Sequence, residues 1–584
     1  MYEEGEDKGS RVSRRRFLAA AGGMAVGGGV ALGATPAAGA RVAKPPRRWD
    51  RQVDVVVVGS GAAAYSAALT ASAAGRSVVM LEKAGGEGGT SAKSGGGYWI
   101  PNNSHMRKIG MTDGRADGLK LLTRLSWPAR YAPGAPGYGV PAREASLLAA
   151  FYDHGPKAVD LLTRVGYRST FAYVKKDGDA PPFPDYYAEL PENKAPYGRI
   201  LAPLTKSGGG FGADMIAGMK AVAKKRRIPL LLGHRVTSAV VNSAGQVVGV
   251  LAAKGHKTVA VRARRGVIFG SGGFTQNPEM ALNFLRGPIF GGCAVPTNTG
   301  DFIDIGVDLG ADLGNTNNAW WAEVVFEQAL QFSSTPSDVF NIPGHSMIVV
   351  DRTGNRLYNE KFVYNERTQL HFVWDPLPAR YKNLLTFMIY DQATADTYGG
   401  SYPLPAKGAT APYVISGATF PELAQKIGDR LGSLTRRTGG FDLDAGFAAQ
   451  LPQTVARFNG FATAGKDDDF HRGERLIERY FDSGVQSVKP PAGTTMAPIS
   501  DSGPYYCVIL GGGTLDTKGG PKTNAKAQVL DTRGKPIRGL YGAGNCIAAP
   551  AGQAYWSGGA TLGSAITFGH IAGTNASKEA VKPV

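Results

Sequence analysis

The chain has 584 residues, of which 43% are hydrophobic, and a formal net charge of +18 at pH 7. Its length exceeds what one compact core supports and predicts two domains, or one domain with a large insertion. The basic residues are scattered, which excludes the contiguous basic surface that is typical of nucleic-acid-binding proteins. Beyond the N-terminal segment no apolar run reaches about 20 residues, so no membrane span is predicted in the mature chain.

The chain contains three cysteines, Cys293, Cys507 and Cys546, which are far apart in the sequence. An odd number of distant cysteines does not predict a disulfide framework, and their spacing matches no metal-ligand pattern. We expect all three to be small buried residues, and we predict no metal site.

The N-terminal segment has the pattern of a twin-arginine export signal. Ser13-Arg14-Arg15-Arg16-Phe17-Leu18 precedes a mildly apolar Ala/Gly-rich stretch that ends at Ala38-Gly39-Ala40. Small residues at this place are typical of a cleavage site. Residues 1–40 are therefore predicted to be a signal peptide, and the mature protein is expected outside the cytoplasm, in the periplasm or cell envelope. Proteins that use this route fold and load a cofactor before export.

A strand, turn, helix and strand pattern begins at Val53. Its β-branched run leads into Gly59-x-Gly61-x-x-Ala64, which opens an alanine-rich segment, and a second apolar run ends on Glu82. Gly59 permits the tight turn, Gly61 lets the backbone approach a pyrophosphate, and Ala64 lets the helix lie close to the sheet. The helix N-terminus offers N–H groups to phosphates, and Glu82 can accept a hydrogen bond from a ribose hydroxyl. This pattern predicts a dinucleotide site.

The C-terminal region returns to the same kind of pattern. Residues 539–545 form an apolar run with a glycine-rich end, and a helical segment follows from Leu562 to Ala572. A continuous NAD-binding domain needs no such return, whereas a flavin-binding domain commonly leaves to build a substrate cap and comes back to cover the flavin ring. FAD is therefore the predicted cofactor. Gly511-Gly512-Gly513 is predicted to be a bare loop, without a preceding strand or a following helix.

These patterns predict an α/β fold, with a discontinuous Rossmann-like FAD-binding domain and an inserted α+β substrate-cap domain. The first part of the FAD-binding domain is expected at residues 51–320 and its C-terminal part at residues 516–584. The catalytic or substrate-cap domain is expected at residues 321–515.

Several motifs resemble those of 3-ketosteroid Δ1-dehydrogenases, a family within the fumarate reductase and succinate dehydrogenase flavoprotein superfamily. The resembling segments are Gly88-Gly89-Thr90-Ser91-Ala92, Ser94-Gly95-Gly96, Phe183-Pro184-Asp185-Tyr186-Tyr187, Asn298-Thr299-Gly300-Asp301, Asn359-Glu360 with Tyr364, Phe470-His471-Arg472-Gly473-Glu474 and Tyr555 to Gly559. The glycine motifs specify the superfamily, and the three tyrosine motifs specify the branch.

The resemblance implies a desaturation next to a ketone. Tyr364 would be the base that removes the proton α to the carbonyl, and Tyr186 its hydrogen-bonding neighbour. The Tyr555 hydroxyl and the Gly559 backbone N–H would polarise the carbonyl oxygen, and hydride would leave for flavin N5. The implied substrate is a small apolar ketone, and the implied electron acceptor is a quinone-like molecule or a redox protein.

Together the motifs and the resemblance define the cofactor site. The predicted FAD-binding residues are Gly59, Gly61, Ala62, Ala63, Ala64, Glu82, Lys83, Gly89, Thr90, Ser91, Gly95, Gly96, Gly272, Gly273, Gly544, Asn545, Thr561 and Leu562.

One motif departs from the family. The Δ1-dehydrogenases usually have Tyr-Pro-Gly-Pro-Gly where this chain has Tyr555-Trp556-Ser557-Gly558-Gly559. A Tyr-x-Ser arrangement resembles 3-ketosteroid Δ4-(5α)-dehydrogenases, in which the serine also serves the site. Ser557 can therefore change which bond of the substrate is desaturated, and Trp556 can change the shape of the pocket. His345 is a rival base, although a structural role is the better interpretation.

Two further functions stay open. A reductase of the fumarate type would need arginines where this chain has Tyr364 and Trp556, because a dianionic substrate needs charge-assisted partners. A flavin-binding protein without turnover is the other alternative, and its flavin would not be bleached by any ketone.

Overall fold

The computed structural model describes residues 42–174, 181–483 and 495–584. The predicted signal peptide, residues 1–40, lies outside these ranges. The strands are β1 Arg51–Val58, β2 Val78–Leu81, β3 Tyr98–Trp99, β4 Ser169–Phe171, β5 Ile200–Thr205, β6 Gly208–Gly209, β7 Leu230–Leu231, β8 Arg235–Val241, β9 Val247–Lys254, β10 Lys257–Phe269, β11 Leu313–Gly314, β12 Ala319–Trp321, β13 Val324–Val325, β14 Met347–Val350, β15 Trp374–Asp375, β16 Arg380–Tyr381, β17 Leu385–Asp391, β18 Val414–Gly417, β19 Tyr505–Gly511, β20 Thr514–Thr517, β21 Gly520–Pro521, β22 Gln528–Leu530 and β23 Pro536–Gly542.

The α-helices lie between and after these strands in the sequence. They are α1 Ala62–Ala73, α2 Gly89–Lys93, α3 Ser104–Lys108, α4 Arg115–Ser126, α5 Ala142–Arg164, α6 Gly212–Lys225, α7 Pro278–Phe284, α8 Asp301–Asp308, α9 Phe326–Gln331, α10 Tyr364–Gln369, α11 Gln392–Tyr398, α12 Phe420–Ser433, α13 Thr435–Thr438, α14 Phe447–Ala464, α15 Leu476–Ser483 and α16 Ala560–Lys578.

The main sheet joins segments that are far apart in the sequence. Its strand order is β22-β23-β10-β1-β2-β7, and β9 and β8 extend it from β10. Val57 of β1 pairs in parallel with Ile268 of β10 and Met80 of β2, and Ile268 pairs with Tyr541 of β23. The β-branched β1 is buried on both faces, as expected for a central parallel strand. The ends of three distant segments therefore meet at one edge, where an α/β sheet binds its ligand.

Helices α1 and α16 pack closely on this sheet because their contact residues are small. A Cβ atom on Gly569 would lie 2.4 Å from the Ala63 carbonyl oxygen, and one on Gly573 would lie 2.5 Å from that of Ala67. The two backbones can approach this closely only where a side chain is absent. The C-terminal helix is thereby held against the helix of the dinucleotide motif.

A second sheet lies between the two parts of the main sheet in the sequence. Its order is β13-β19-β17-β14, with β18 also paired to β19, and all of these pairs are antiparallel. Helices α12 and α14 cover it and contribute to a shared apolar core. A smaller sheet is built from β3, β5, β4 and β6.

The structure corrects the expectation for Gly511-Gly512-Gly513. This segment follows a full strand, β19, because Tyr505–Gly511 is a buried run in the middle of the second sheet. A continuous apolar run of this kind belongs to a buried strand. The element directly after it is strand β20 and not a helix, as predicted.

The predicted fold class is confirmed: the chain has a discontinuous Rossmann-like sheet with an inserted α+β region. The strands of the second sheet all fall within residues 321–515, and the pair β12 and β20 crosses both predicted boundaries. None of the helices in the described ranges is long and apolar enough to span a membrane.

Candidate active site

The turn between β1 and α1 forms a cradle. Gly59 has a φ of +105°, and a Cβ atom there would lie 2.4 Å from the Gly270 carbonyl oxygen. Gly61 precedes α1 and has no side chain to cap the helix. Gly59 is thus required by the turn, and the bare backbone at Gly61 leaves the helix N-terminus open to a phosphate.

A cavity of about 90 Å³ lies over this cradle. Most of the predicted cofactor residues line it, from both parts of the main sheet. They are Gly59, Gly61, Ala62, Ala63, Glu82, Lys83, Gly89, Thr90, Ser91, Gly272, Gly544, Asn545, Thr561 and Leu562.

The other four predicted cofactor residues occupy different places. Gly95 and Gly96 line the neighbouring cavity described below. Ala64 lies behind the cradle, where a Cβ atom on Gly270 would come within 2.9 Å of the Ala64 nitrogen. Gly273 also lies behind it and donates its N–H to Asp516 Oδ2 over 3.0 Å. Ala64 and Gly273 therefore do not line the cavity, and each contacts a residue that does, Gly270 and Asp516 respectively.

Glu82 lies where the ribose motif predicts an acceptor. It follows β2 and is held by Ser60, whose hydroxyl donates to Glu82 Oε2 over 2.7 Å, and by the Ala84 N–H, 2.8 Å from Oε1. The neighbouring Lys83 donates to Asp301 over 3.1 Å. The charge of Lys83 is therefore already paired within the protein.

Asp516 connects two of the predicted cofactor loops with the loop that carries Asn298, although sequence reasoning missed it. Its Oδ2 accepts hydrogen bonds from the Gly273 N–H, from Asn298 over 2.8 Å and from Asn545 over 3.0 Å. The carboxyl is buried, and burial raises its pKa. No local pattern marked Asp516, because its partners lie at distant positions in the sequence.

A second cavity, of about 240 Å³, contains the three predicted tyrosines. The Tyr186 hydroxyl donates to the Tyr364 hydroxyl oxygen over 2.9 Å. The Tyr555 ring lies 5.5 Å from the Tyr364 ring and 5.6 Å from the Tyr186 ring, measured between centroids. Three phenols from three distant segments therefore meet on one cavity wall, with Gly559 beside them.

Each of these groups is fixed by a separate part of the fold. Tyr364 is the first residue of α10, and the backbone N–H of Tyr186 donates to Ser557 Oγ over 3.2 Å. Gly559 precedes α16 with a φ of +85°, and a Cβ atom there would lie 2.6 Å from the Gly97 carbonyl oxygen. Only glycine fits between this loop and β3.

The electrostatics of the phenols are dominated by burial. Burial raises the pKa of Tyr364 well above its usual range, and the neighbouring Tyr186 and Tyr555 hydroxyls share the same dry environment. The neutral phenols are therefore the resting forms. The Tyr186 hydroxyl, which donates to the Tyr364 oxygen, can stabilise a Tyr364 phenolate once it forms, while burial and the neighbouring phenols keep the pKa of Tyr364 high.

The rest of the cavity wall is largely apolar and was not predicted. It includes Phe183 and Phe340 from loops, Phe481 from helix α15 and Leu515 from strand β20. Lys93 is the only lysine or arginine among the described residues that line this cavity. Sequence reasoning missed these residues because ordinary core aromatics carry the same local signals.

Two rival candidates point elsewhere. The Tyr187 hydroxyl donates to Glu366 Oε1 over 2.8 Å, away from the phenol pair. The His345 Nε2 atom contacts the Asp482 carboxylate, as expected for a structural histidine. These contacts support Tyr186 and Tyr364 as the site residues of their segments.

The two departures from the family motif also face away from the cavity. Trp556 is packed against Phe151, with ring centroids 4.6 Å apart, and donates its indole N–H to Ser126. Ser557 is buried, and its Oγ accepts the Tyr186 N–H. Trp556 therefore supports the wall from outside, and Ser557 fixes the loop that carries Tyr186.

The structure corrects the expectation that all three cysteines are buried. Cys507 and Cys546 are buried, but Cys293 is partly exposed and lines the second cavity. It lies beside Asp338, which accepts the Cys293 N–H over 3.2 Å. No group of three His, Cys, Asp or Glu residues in the described part of the chain could hold a metal ion.

A glycine-rich dinucleotide cradle that opens onto a buried, phenol-bearing cavity defines a flavoprotein oxidoreductase. The two cavities share Ser91, Asn545 and Leu562 in their walls. The residues fit FAD, because helix α1 begins after Gly61 without a side-chain cap and Glu82 lies on the wall of the same cavity.

Comparison with known proteins supports this class. The model of the FAD binding domain family matches residues 54–562. The chain is 30% identical to 3-oxosteroid 1-dehydrogenase of Mycolicibacterium smegmatis, covering 89% of this chain and 96% of that protein. It is 32% identical to 4-oxocyclohexanecarboxylate 2-dehydrogenase of Sinomonas cyclohexanicum, covering 89% and 92%.

A solved structure gives the same result. The 3-ketosteroid delta1-dehydrogenase of Sterolibacterium denitrificans, in complex with 1,4-androstadiene-3,17-dione, superposes with a TM-score of 0.74 and 27% identity, covering 90% of this chain and 99% of that one. The chain belongs to the FAD binding domain family, and the resemblance to its 3-ketosteroid dehydrogenase branch is confirmed. It is an FAD-dependent dehydrogenase.

Proposed function

We propose that this protein desaturates a 3-ketosteroid-like cyclic ketone at the carbon–carbon bond next to the carbonyl, most like a 3-oxosteroid 1-dehydrogenase. The observation that carries the proposal is the hydroxyl pair of Tyr186 and Tyr364, 2.9 Å apart in a buried and largely apolar cavity. The relatives named 3-oxosteroid 1-dehydrogenase support the substrate class.

The proposed reaction separates a proton from a hydride. The Tyr555 hydroxyl and the Gly559 N–H donate hydrogen bonds to the substrate carbonyl oxygen, which stabilises the negative charge that develops there. Tyr364 removes the α proton, while Tyr186 donates a hydrogen bond to the Tyr364 oxygen. FAD, when bound, supplies the acceptor for the hydride of the β carbon. The substrate thus loses one proton and one hydride, and a carbon–carbon double bond remains.

The wall residues favour the 1-dehydrogenase over the Δ4-(5α) alternative. That alternative rests on Ser557 serving the site, but its Oγ accepts the Tyr186 backbone N–H behind the wall. The fumarate-type alternative is also disfavoured, because no arginine is found among the described cavity-lining residues. A dianionic substrate would lose its charge-assisted partners there.

A second substrate class is favoured by one residue. Lys93 places a cation on the cavity wall, and the relative from Sinomonas cyclohexanicum is named for a cyclic ketone with a carboxylate. A ketone that carries a carboxylate is therefore the second candidate. Replacement Lys93→Met should raise KM for 4-oxocyclohexanecarboxylate and leave KM for an uncharged 3-ketosteroid unchanged. Equal effects on both would remove this candidate.

We further propose that the protein is exported through the twin-arginine route and works outside the cytoplasm. The Ser13 to Leu18 motif and the small residues at 38–40 support this proposal. The electrons would pass to a quinone-like molecule or a redox protein.

Anaerobic mixing of the oxidised holoenzyme with substrates tests the function. A 3-ketosteroid should bleach the flavin absorbance, and mass spectrometry should find a product two hydrogens lighter. Succinate should leave the spectrum unchanged. Bleaching by succinate alone would establish the reductase alternative, and no bleaching by any cyclic ketone would favour a flavin-binding protein without turnover.

A further inference from the structure

Lys518 is a fully buried lysine behind the tyrosine cavity. It directly follows β20, and its side chain is 0% exposed. Its Nζ donates to the carbonyl oxygens of Gln553 over 3.2 Å and Ala554 over 2.6 Å. The negative charge of Glu366 acts on the Lys518 amine only at a distance longer than that of an ion pair. The described contacts of Nζ are therefore two backbone carbonyls and an aromatic ring.

Both contacts lead to Tyr555. Gln553 and Ala554 directly precede it in the chain. The ring is that of Trp320, whose centroid lies 4.2 Å from Nζ, and Trp320 in turn meets the Tyr555 ring edge-on at 5.2 Å. The amine thus holds the Tyr555 backbone from one side and the ring that supports its phenol from the other.

A buried ammonium is costly, so its position calls for a physical reason. Burial lowers the pKa of Lys518 well below its usual range, which reflects this cost. A methionine of similar length would fill the same space without the free-energy cost of a buried charge. What methionine could not do is donate to the two carbonyls before Tyr555.

The same side chain also reaches the cofactor wall. Trp320 donates its indole N–H to Asn545 Oδ1 over 3.0 Å, and Asn545 lines both cavities. Strands β12 and β20 pair Ala319 with Thr517 in antiparallel register, so Trp320 and Lys518 lie diagonally on either side of this pair. The orientation of Tyr555 and that of Asn545 therefore depend on one buried contact.

We propose that Lys518 is a positioning residue, which fixes the Tyr555 hydroxyl toward the substrate carbonyl through the Gln553 and Ala554 carbonyls and through Trp320. This inference rests on the proposed function of Tyr555 as a carbonyl donor. Lys518 acts on the reaction only through Tyr555, so its effect must disappear when the Tyr555 hydroxyl is absent.

A double-mutant cycle tests this dependence in the holoenzyme. The readout is deuterium exchange at the α carbon of a 3-ketosteroid in D₂O, measured by mass spectrometry with the flavin reduced beforehand so that no hydride leaves the ketone. We expect Lys518→Met to slow exchange by about 10- to 100-fold, because a misaimed donor loses much of its stabilisation of the enolate. In a Tyr555→Phe background the same change should alter exchange by less than about 3-fold, since coupled residues are not additive.

Ketone binding and a matched control complete the design. The ketone Kd should change far less than the exchange rate, since a merely loosened pocket would alter both. Lys582→Met is the control, because Lys582 is also buried and donates to a backbone carbonyl, that of Arg265, far from the cavity. It should leave exchange at the wild-type rate.

The outcomes are distinct. Equal losses in both backgrounds, or no loss in the wild type, would overturn the positioning role of Lys518. If Lys518→Met does not yield FAD-loaded protein, Trp320→Phe tests the same linkage, and its loss must likewise vanish with Tyr555→Phe. A wild-type enzyme that exchanges no α proton would instead refute the proposed function itself.

Discussion

At the residue scale, burial of Tyr364 opposes its proposed role as a base. Burial raises the pKa of Tyr364 well above its usual range, so little phenolate is present near neutral pH. The donor from Tyr186, 2.9 Å away, favours the phenolate once the α proton is transferred. Proton removal is therefore expected to become easier as the pH rises.

The Tyr186→Phe replacement tests this relation. Without the donor, the phenolate that forms on proton transfer loses one hydrogen bond, so kcat should fall by about 10- to 100-fold near pH 7, the size of one hydrogen bond to a charged group. In the wild type kcat should rise with pH, and in the variant this rise should move to higher pH. The pH profile of kcat measures both effects.

Tyr187→Phe is the matched control for this experiment. Tyr187 is the neighbouring phenol, and it donates to Glu366 instead of Tyr364. Its replacement should leave the pH at which kcat rises unchanged. A Tyr186→Phe profile that coincides with the wild-type profile would refute the role of Tyr186.

The sequence allowed part of this site to be predicted. Tyr186, Tyr364 and Tyr555 stood in motifs that resemble one family, and all three line one cavity. Phe340 and Asp516 could not be found, because their roles arise from contacts between segments that only the folded chain brings together. The motif departure at Ser557 also could not be interpreted before the direction of its side chain was known.

At the element scale, the β1–α1 turn links a local pattern to cofactor binding. Gly59→Ala would place a Cβ atom 2.4 Å from the Gly270 carbonyl oxygen at a φ of +105°. The turn must shift, so the purified variant should retain little FAD, measured by flavin absorbance per protein. Gly75→Ala is the control, because Gly75 also has a positive φ of +76° but nothing within 4 Å of its Cβ position. Full flavin content in Gly59→Ala would contradict this role of the turn.

The contact between α1 and α16 has a built-in pH dependence. His570 of α16 lies 3.1 Å from the Thr70 hydroxyl of α1 and is buried. Burial lowers its pKa from 6.5 to about 4, with the nearby His154 adding to the effect. The neutral form is favoured in the folded state, so this stability is present above pH 6.5 and is lost as the pH falls toward 4.

His570→Gln isolates this contribution. A pKa lowered from 6.5 to about 4 corresponds to about 3 kcal/mol of folding free energy, of which about 2 kcal/mol is lost by pH 4.5. Between pH 7 and pH 4.5 the wild type should lose that much more stability than the variant, which keeps a polar group near Thr70. Denaturant unfolding at both pH values measures the difference. Parallel losses in the two proteins would show that His570 is not the titrating group.

The elements themselves were largely predictable where a local sequence motif specified them. Helix α1 and strand β2 follow the expected pattern, because one short local motif specifies the turn before the helix and the strand after it. Strand β19 was missed before the Gly511 loop, since an apolar run without alternation does not reveal that two neighbouring strands will bury it. Its pairing partners are distant in the sequence.

At the scale of the whole molecule, cofactor binding joins the two ends of the chain. Gly59 and Asn545 line the same cavity, so the FAD site is complete only after the C-terminal part has joined the main sheet. This order suits the twin-arginine route, which carries folded proteins.

The export proposal is tested in cells. The double replacement Arg14→Lys and Arg15→Lys should retain the protein in the cytoplasm, whereas the wild type should appear in the extracytoplasmic fraction. Both forms should carry FAD and be active, because the cofactor site lies in the mature chain. Equal distributions of the two forms would contradict the proposed route.

The central claim is that Tyr364 takes the proton next to the ketone, and single-turnover flavin reduction of Tyr364→Phe tests it most directly. Rapid anaerobic mixing with a 3-ketosteroid should show bleaching slowed by about 10²- to 10⁴-fold relative to the wild type. The flavin spectrum and the ketone Kd should remain unchanged. Bleaching at the wild-type rate would show that another group removes the proton.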